Sequence, residues 1–306
     1  MKKWTSRAIP DQTGRVVIVT GANTGIGFET AAALAARHAK VVLACRNAQK
    51  AGDAIERIKA RTPDADLEFL ELDLASLDSV ARFVGAFDSA HDRLDLLINN
   101  AGVMAPPLGH TEDGFELHFG CNHLGHFALT GRLMAHLEAT PGARVVTVSS
   151  LTHRMAAFDF DNLNAEKGYR GMAAYGQSKL ANLLYTFELR RRLENVNSGV
   201  LAVASHPGWT VTEIQRHSPL IEFFTPLAPG PDRGALTTLR AAVDPQARSG
   251  DYYGPRGFFE LMGYPKKVQT SPAAQNVTDA RRLWRISEEL TGVCFPASES
   301  GGGPVS

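Results

Sequence analysis

Tyr175 and Lys179 stand four residues apart in the run Tyr-Gly-Gln-Ser-Lys-Leu-Ala-Asn. On a helix that spacing places both side chains on one face. A free tyrosine, with a pKa of about 10, is a poor acid–base group at neutral pH. An ammonium beside it favours the phenolate and lowers that value. Ser149 and Ser150 end the apolar run that starts at Arg144. A hydroxyl at a strand's C-terminal end can donate to a substrate carbonyl oxygen and steady a developing alkoxide. Ser150 is preferred for this, because Ser149 should complete the strand. Asn122 lies in Phe-Gly-Cys-Asn-His-Leu-Gly-His-Phe, within a helical stretch where asparagine is a poor former. It is expected to distort the helix and to hold a water that relays protons to Lys179. His123 and His126 flank it three apart, but no third ligand accompanies them, so packing roles and no metal are expected.

A second constellation precedes these residues. Thr20-Gly-Ala-Asn-Thr-Gly-Ile-Gly27 follows the first β-branched run and opens the first helical stretch. Gly21, Gly25 and Gly27 suit a tight turn, a close backbone approach to a pyrophosphate, and helix-on-strand packing. With Asn23, Thr24 and Ile26 they form a dinucleotide-binding turn at a helix N-terminus. The second strand ends at Cys45 and Arg46. A carboxylate there would serve the ribose of NAD; a guanidinium instead pairs with a 2′-phosphate, so NADP is favoured over NAD. Asp73, with Leu74, ends the third strand; its carboxylate either accepts from the adenine amino group or caps the next helix. Asn99, Asn100, Ala101 and Gly102 end the fourth strand and are read as lining the cofactor and tying strands together.

The elements that must carry these residues alternate. Strands are expected at Arg15–Thr20, Lys40–Cys45, Leu67–Asp73, Leu94–Asn99, Arg144–Ser149 and Val200–Ser205. Most are nearly continuous apolar runs, as in strands covered on both faces. Helices are expected at Phe28–His38, Ala48–Ala60, Ser76–His91 and Asn276–Thr291, the last stopped by Gly292. Repeated β-α-β units predict an α/β fold: one Rossmann-type, doubly wound domain with a mostly parallel sheet flanked by helices. The domain is expected over residues 1–296, with a flexible tail at 297–306. Pro and Gly accumulate after Ser205, and Thr210–Pro231 is expected to cover a substrate. Val103–His110, Leu151–Tyr169 and Thr210–Pro229 should line its pocket through Met104, Met155, Phe158, Phe160, Leu220, Ile221, Phe223 and Phe224. Such a lining suits a lipophilic aldehyde, ketone or secondary alcohol.

Composition narrows the classes. The 306 residues hold 32 Lys plus Arg against 32 Asp plus Glu, so no basic excess marks a nucleic-acid partner. Three separated cysteines make neither a disulfide framework nor a zinc site and point to a reducing, cytoplasmic setting. The basic first residues lead into no apolar stretch, and no run is long enough to span a membrane.

Taken in order, the motifs resemble the short-chain dehydrogenase/reductase superfamily. They are Thr-Gly-x-x-x-Gly-x-Gly, Asn-Asn-Ala-Gly, the helix asparagine, the strand-end serine, Tyr-x-x-x-Lys and His206-Pro-Gly. The resemblance implies a catalytic tetrad of Asn122, Ser150, Tyr175 and Lys179. It also implies that Pro207, Gly208 and Thr210 meet the nicotinamide end of NADP(H), with Thr212 near the carboxamide. Ala-Cys-Arg-Asn, Val-Ser-Ser-Leu-Thr-His and the terminal Ala-Arg-Arg-Leu-Trp are similar to the retinol dehydrogenase and WW-domain oxidoreductase branch. That branch carries extra residues between serine and tyrosine, here Phe158–Tyr169. Homodimers or homotetramers built by long helices are implied as well. An alcohol–carbonyl oxidoreductase is the expected activity; C=C reduction and a non-catalytic NADP-binding regulator are the alternatives.

Overall fold

The computed structural model describes residues 3–210 and 229–295. Among these residues eight strands form one sheet, β1 (Val16–Thr20), β2 (Lys40–Cys45), β3 (Leu67–Glu71), β4 (Leu96–Asn99), β5 (Arg144–Val148), β6 (Leu201–Ser205), β7 (Tyr252–Pro255) and β8 (Pro265–Lys267). Their order is β3-β2-β1-β4-β5-β6-β7-β8. All neighbours are parallel except β7 and β8, which pair antiparallel. Chain direction across the sheet reverses between β1 and β4, the place where open α/β sheets hold ligands at their strand ends. The α/β, doubly wound fold is the one the sequence pattern predicts.

Alternation along β1 explains why the strand reads as continuously apolar. Val17 and Val19 face one core, with Phe28, Leu34, Ile58 and Leu239, while Val16 and Ile18 face the other, with Phe83, Phe127 and Leu189. The first core lies under α1 (Gly25–Ala35), α2 (Ala48–Arg61) and α7 (Pro231–Val243). The second lies under α3 (Leu77–Ala90), α4 (Gly125–Arg132), with α5 (Met134–Ala139) following, and α6 (Gly171–Asn195). The last helix, α8 (Val277–Thr291), packs along α6, where Trp284 stacks on Tyr185 at 5.8 Å. It thereby covers part of the long-helix surface.

Helix ends follow local chemistry. Asn47 caps α2 by accepting from Lys50 N–H at 2.8 Å, and Asn276 caps α8 through Thr278 and Asp279. Gly292 ends α8 at φ 66° in the left-handed region. Ser76 caps α3 through Ser79 N–H. Among the described residues beyond Ser205, the sequence reading missed α7, opened by Pro231 at its first turn, and the short strands β7 and β8. Residues 211–228, with Thr212 and the apolar side chains Leu220, Ile221, Phe223 and Phe224, lie outside the described residues, as do residues 296–306. Among the described residues no helix is long and apolar enough to cross a membrane.

Candidate active site

A cleft of about 720 Å³ opens at the C-terminal ends of β1, β2, β4, β5 and β6. Along one side runs the glycine turn. Gly21 and Gly25 hold φ of 65° and 58°, where a side chain would strain the backbone. At Gly27 a Cβ would stand 2.3 Å from the Gly21 carbonyl oxygen, so no other residue fits. Asn23, Thr24 and Ile26 complete this wall. Thr24 gives α1 no side-chain cap, and the first turn of a helix offers unpaired N–H groups and a positive dipole end. Across the switch point Asn100, Ala101 and Gly102 face the turn. Thr20 joins them: its Oγ1 accepts from Asn100 and Ala101 N–H, each at 2.9 Å, and its carbonyl accepts from Asn100 Nδ2 at 2.8 Å. A narrow cradle lined by backbone N–H groups fits a dinucleotide pyrophosphate.

Toward the middle of the sheet the cleft reaches Ser150, Tyr175 and Lys179. Tyr175 and Lys179 share the inner face of α6 as the spacing predicts, and both are buried. Lys179 Nζ lies 5.7 Å from the tyrosine ring centroid and donates to the Val148 carbonyl at 3.1 Å. Burial pushes the Tyr175 hydroxyl up to about 12, with the Ser150 hydroxyl beside it pulling the other way. Burial also brings Lys179 down to about 8. Burial thus acts on this hydroxyl in the direction opposite to that expected of a neighbouring ammonium. A tyrosine at that level is protonated at neutral pH, which suits a proton donor.

The two serines divide their work. Ser149 directly follows β5, donates its N–H to the Ser205 carbonyl at 2.7 Å and is buried, its hydroxyl donating to the Lys179 carbonyl at 2.7 Å. Both residues line the cleft, and Ser150 is the less buried of the two.

Asn122 lies in a π-helical turn, His118–Leu124, that runs into α4. Such a turn inside a helix is rare and commonly sits at functional sites. Its Oδ1 accepts from Val103 N–H at 2.8 Å, and its Nδ2 donates to the Val103 carbonyl at 3.1 Å and to Ser178 Oγ at 2.9 Å. Asn122 does not itself line the cleft, although a Cβ on cleft-lining Gly102 would meet its Oδ1 at 2.8 Å and Lys179 Nζ at 3.5 Å. The distortion expected at Asn122 is present, and its side chain is committed to protein partners. His123 Nε2 lies 2.8 Å from Ser287 Oγ and His126 Nε2 lies 2.9 Å from Thr20 Oγ1, so both have packing roles. Burial lowers each to about 3, which keeps them neutral.

At the far end stand Arg46, Asp73 and Leu74. Of the two readings of Asp73, the helix cap is not borne out. The cap of α3 is Ser76; Asp73 accepts from Ala75 N–H at 2.9 Å through Oδ1 and pairs with Arg46 at 3.5 Å through Oδ2. Lys50, in the first turn of α2, reaches the same end and was missed, because a lysine on a mixed-charge helix gives no signal. On the substrate side Pro207, Gly208, Thr210, Met104 and Leu151 line the cleft, together with Pro106, Met172, Trp209 and Leu261. Three expected lining residues stand elsewhere. Met155 is 85% exposed, and Phe158 and Phe160 pack on each other at 4.6 Å against the core between α6 and α8. Aromatics in a loop signal burial without saying against what.

Comparison with known proteins matches this geometry to one family. The family model for short chain dehydrogenases covers residues 15–220. Mouse retinol dehydrogenase 12 is 43% identical over 286 residues, 92% of this chain and 87% of that protein. Human retinol dehydrogenase 13 is 41% identical over 297 residues, 93% of this chain and 86% of that protein. An uncharacterized Mycobacterium paratuberculosis protein of known structure is 41% identical and superposes with a TM-score of 0.82, over 96% of this chain and all of that one. Pseudomonas aeruginosa RhlG, solved as a complex with NADP at its active site, shares the fold with a TM-score of 0.63 at 24% identity, over 79% of this chain and 94% of that one. The chain therefore belongs to the short-chain dehydrogenases, in their retinol dehydrogenase-like branch, and is an oxidoreductase of alcohol and carbonyl groups.

Proposed function

We propose that this protein is an NADP(H)-dependent oxidoreductase interconverting lipophilic carbonyls and alcohols, with Tyr175 as its general acid and base. The observation that carries this reading is the meeting, in one cleft, of the glycine cradle with Ser150, Tyr175 and Lys179. Gly21, Gly25 and Gly27 would hold the pyrophosphate, Asp73 and Leu74 the adenosine, and Arg46 with Lys50 the 2′-phosphate. Asn100, Ala101 and Gly102 would lie along the ribose, and Pro207, Gly208 and Thr210 at the nicotinamide end. When bound, the dinucleotide supplies or accepts the hydride.

The residues of the chain do the rest. In reduction the Tyr175 hydroxyl, protonated at neutral pH, gives its proton to the substrate oxygen. Ser150 donates a hydrogen bond to that oxygen and stabilises its growing charge. Lys179 stays fixed by Val148 and, as an ammonium below about pH 8, stabilises the phenolate left behind. Asn122 holds Val103 and Ser178, and through them the ground on which Lys179 stands. In oxidation each step reverses.

Met104, Pro106, Leu151, Met172, Trp209 and Leu261 give the substrate side an apolar surface. That surface, with relatives named as retinol dehydrogenases, supports a long apolar aldehyde or its alcohol as substrate. Two buried thiols without a disulfide, Cys45 and Cys121, support a reducing, cytoplasmic setting. The test is steady-state reduction of straight-chain and retinoid aldehydes with NADPH and with NADH. Turnover favouring NADPH is expected; no oxidation of either nucleotide with any carbonyl would end this reading.

A further inference from the structure

Under the wall formed by Met104 and Pro106 lies a buried pair that the proposed chemistry does not use. Glu116 and His118 are both within the interior. His118 Nδ1 stands 2.6 Å from Glu116 Oε1, and Glu116 Oε2 accepts from Phe119 N–H at 2.9 Å. On the other edge of the ring, Ala105 N–H donates to His118 Nε2 at 2.9 Å. A backbone N–H only donates, so Nε2 is the bare nitrogen and the ring proton sits on Nδ1, facing the carboxylate. The imidazole is thus held in one orientation by its partners on both sides.

Ala105 is where such an anchor matters. Its φ is 46°, in the left-handed region that residues other than glycine seldom enter. Strained backbone of this kind persists only where its surroundings over-determine it. The loop is fixed at three points: Val103 by Asn122, Ala105 by His118, and Pro106, whose carbonyl accepts the Tyr169 hydroxyl at 2.6 Å. Tyr169 stacks on His118 with ring centroids 6.2 Å apart, and the Tyr175 ring lies 6.0 Å away. Glu116 N–H reaches Asn164 Oδ1 at 3.2 Å. One dyad therefore joins the loop after β4, the segment before α6, and the tyrosine of the cleft.

We propose that His118, oriented by Glu116, is a substrate-positioning residue: it locks the Ala105 turn, so that Met104 and Pro106 form a fixed apolar wall beside Tyr175. The inference rests on the carbonyl–alcohol reading above. His118 acts through Ala105 and touches neither the glycine cradle nor the arginine end, so it should affect substrate placement and leave nucleotide binding alone.

The full chain tests this with three variants. Glu116→Gln combined with His118→Phe removes the acceptor for Ala105 without burying an unpaired carboxylate. His118→Gln keeps an acceptor on the side chain. Tyr169→Phe removes only the tie to Pro106. With a straight-chain aliphatic aldehyde and NADPH, the double variant should raise KM roughly tenfold with kcat within about threefold, the mark of lost binding shared by ground and transition states. NADPH affinity should not move, and the Ala105 amide should lose its protection from hydrogen exchange. His118→Gln should bring KM back to within about threefold of wild type, and Tyr169→Phe should raise it by about that much. Unchanged KM or unchanged Ala105 protection in the double variant overturns the inference, as does a parallel loss of NADPH binding and kcat. A wild-type protein that reduces no carbonyl overturns the activity itself, which separates that failure from this one.

Discussion

At one end of the cleft Tyr175 and Lys179 are buried and fixed to β5 and the α6 backbone; at the other, Arg46 is 72% exposed and meets one carboxylate at 3.5 Å. The tyrosine end was assembled by folding. Ser149 holds the Lys179 carbonyl, Ser178 Oγ donates to the Tyr175 carbonyl at 2.8 Å, and Asn182 Nδ2 shares the Val148 carbonyl with Lys179. The arginine end rests on an ion pair in water, worth little and screened by salt. On the proposed reading, chemistry is placed where side chains are buried and held, and cofactor choice is left to exposed charges. Perturbing the two ends should therefore have effects of different size and kind.

The largest effect belongs to Tyr175→Phe. It removes a hydroxyl and leaves the buried ring in place, so NADPH titration followed by fluorescence should match wild type. Turnover should fall by about 100- to 10,000-fold, the range of general acid catalysis. Turnover near wild type would remove Tyr175 from the reaction.

Next comes pH. Lys179 falls from its ordinary 10.5 to about 8 through burial. Between those values the unfolded chain keeps the proton and the native lysine releases it, so the unfolded state binds more protons. Stability from this group must then rise with pH across that window, while its fully charged native form below about pH 8 carries the cost of burial. Activity runs the other way. kcat/KM for reduction should fall about tenfold per pH unit above about 8, as the ammonium is lost. Lys179→Met should be slow throughout and lose that limb. A wild-type profile flat to pH 10 would show that the ammonium is not needed.

These two predictions draw on residues that the sequence exposed well. Gly21, Gly25, Gly27, Ser150, Tyr175 and Lys179 could be read because local spacing alone puts them at a strand–helix turn, a strand end and one helix face. The β-α-β order was legible for the same reason: apolar runs covered on both faces announce themselves. What the sequence hid was long-range. Nothing near Lys179 announces that Val148 will hold its ammonium. The antiparallel β8 is three residues long, too short for a pattern, and gains its place only by pairing with β7. His118 and Glu116 lie two apart in an ordinary-looking helix entry, and their partner Ala105 comes from a loop whose turn no propensity predicts. Phe158 and Phe160 were placed in the pocket because apolarity marks burial, and they pack, half-buried, against the core between α6 and α8 instead.

At the arginine end the expected effects shrink. Arg46→Ala should weaken NADPH binding by about tenfold, the value of a charge-assisted contact discounted for exposure. NADH binding should stay where it is, and raising salt should narrow the gap between variant and wild type. An equal loss for both nucleotides would assign Arg46 to the shared part of the cofactor and leave the preference for NADPH to Lys50.

The smallest effect is the most discriminating. Asp73 holds Arg46 through Oδ2 and turns its own backbone through Oδ1, which accepts from Ala75 N–H. Asp73→Asn keeps an oxygen for the turn and for an adenine amino group, and removes the charge. If the carboxylate restrains Arg46 and repels a 2′-phosphate, its loss should strengthen NADPH binding by about two- to fivefold, within the value of an exposed ion pair. NADH, without that phosphate, should be indifferent, and the gain should vanish at high salt. The sign decides between two roles for one residue. Tighter NADPH binding means that Asp73 tempers a preference set by Arg46. Weaker binding of both nucleotides means that the carboxylate orients Arg46 and the adenosine together, and that this end of the cleft is more pre-built than its exposure suggests.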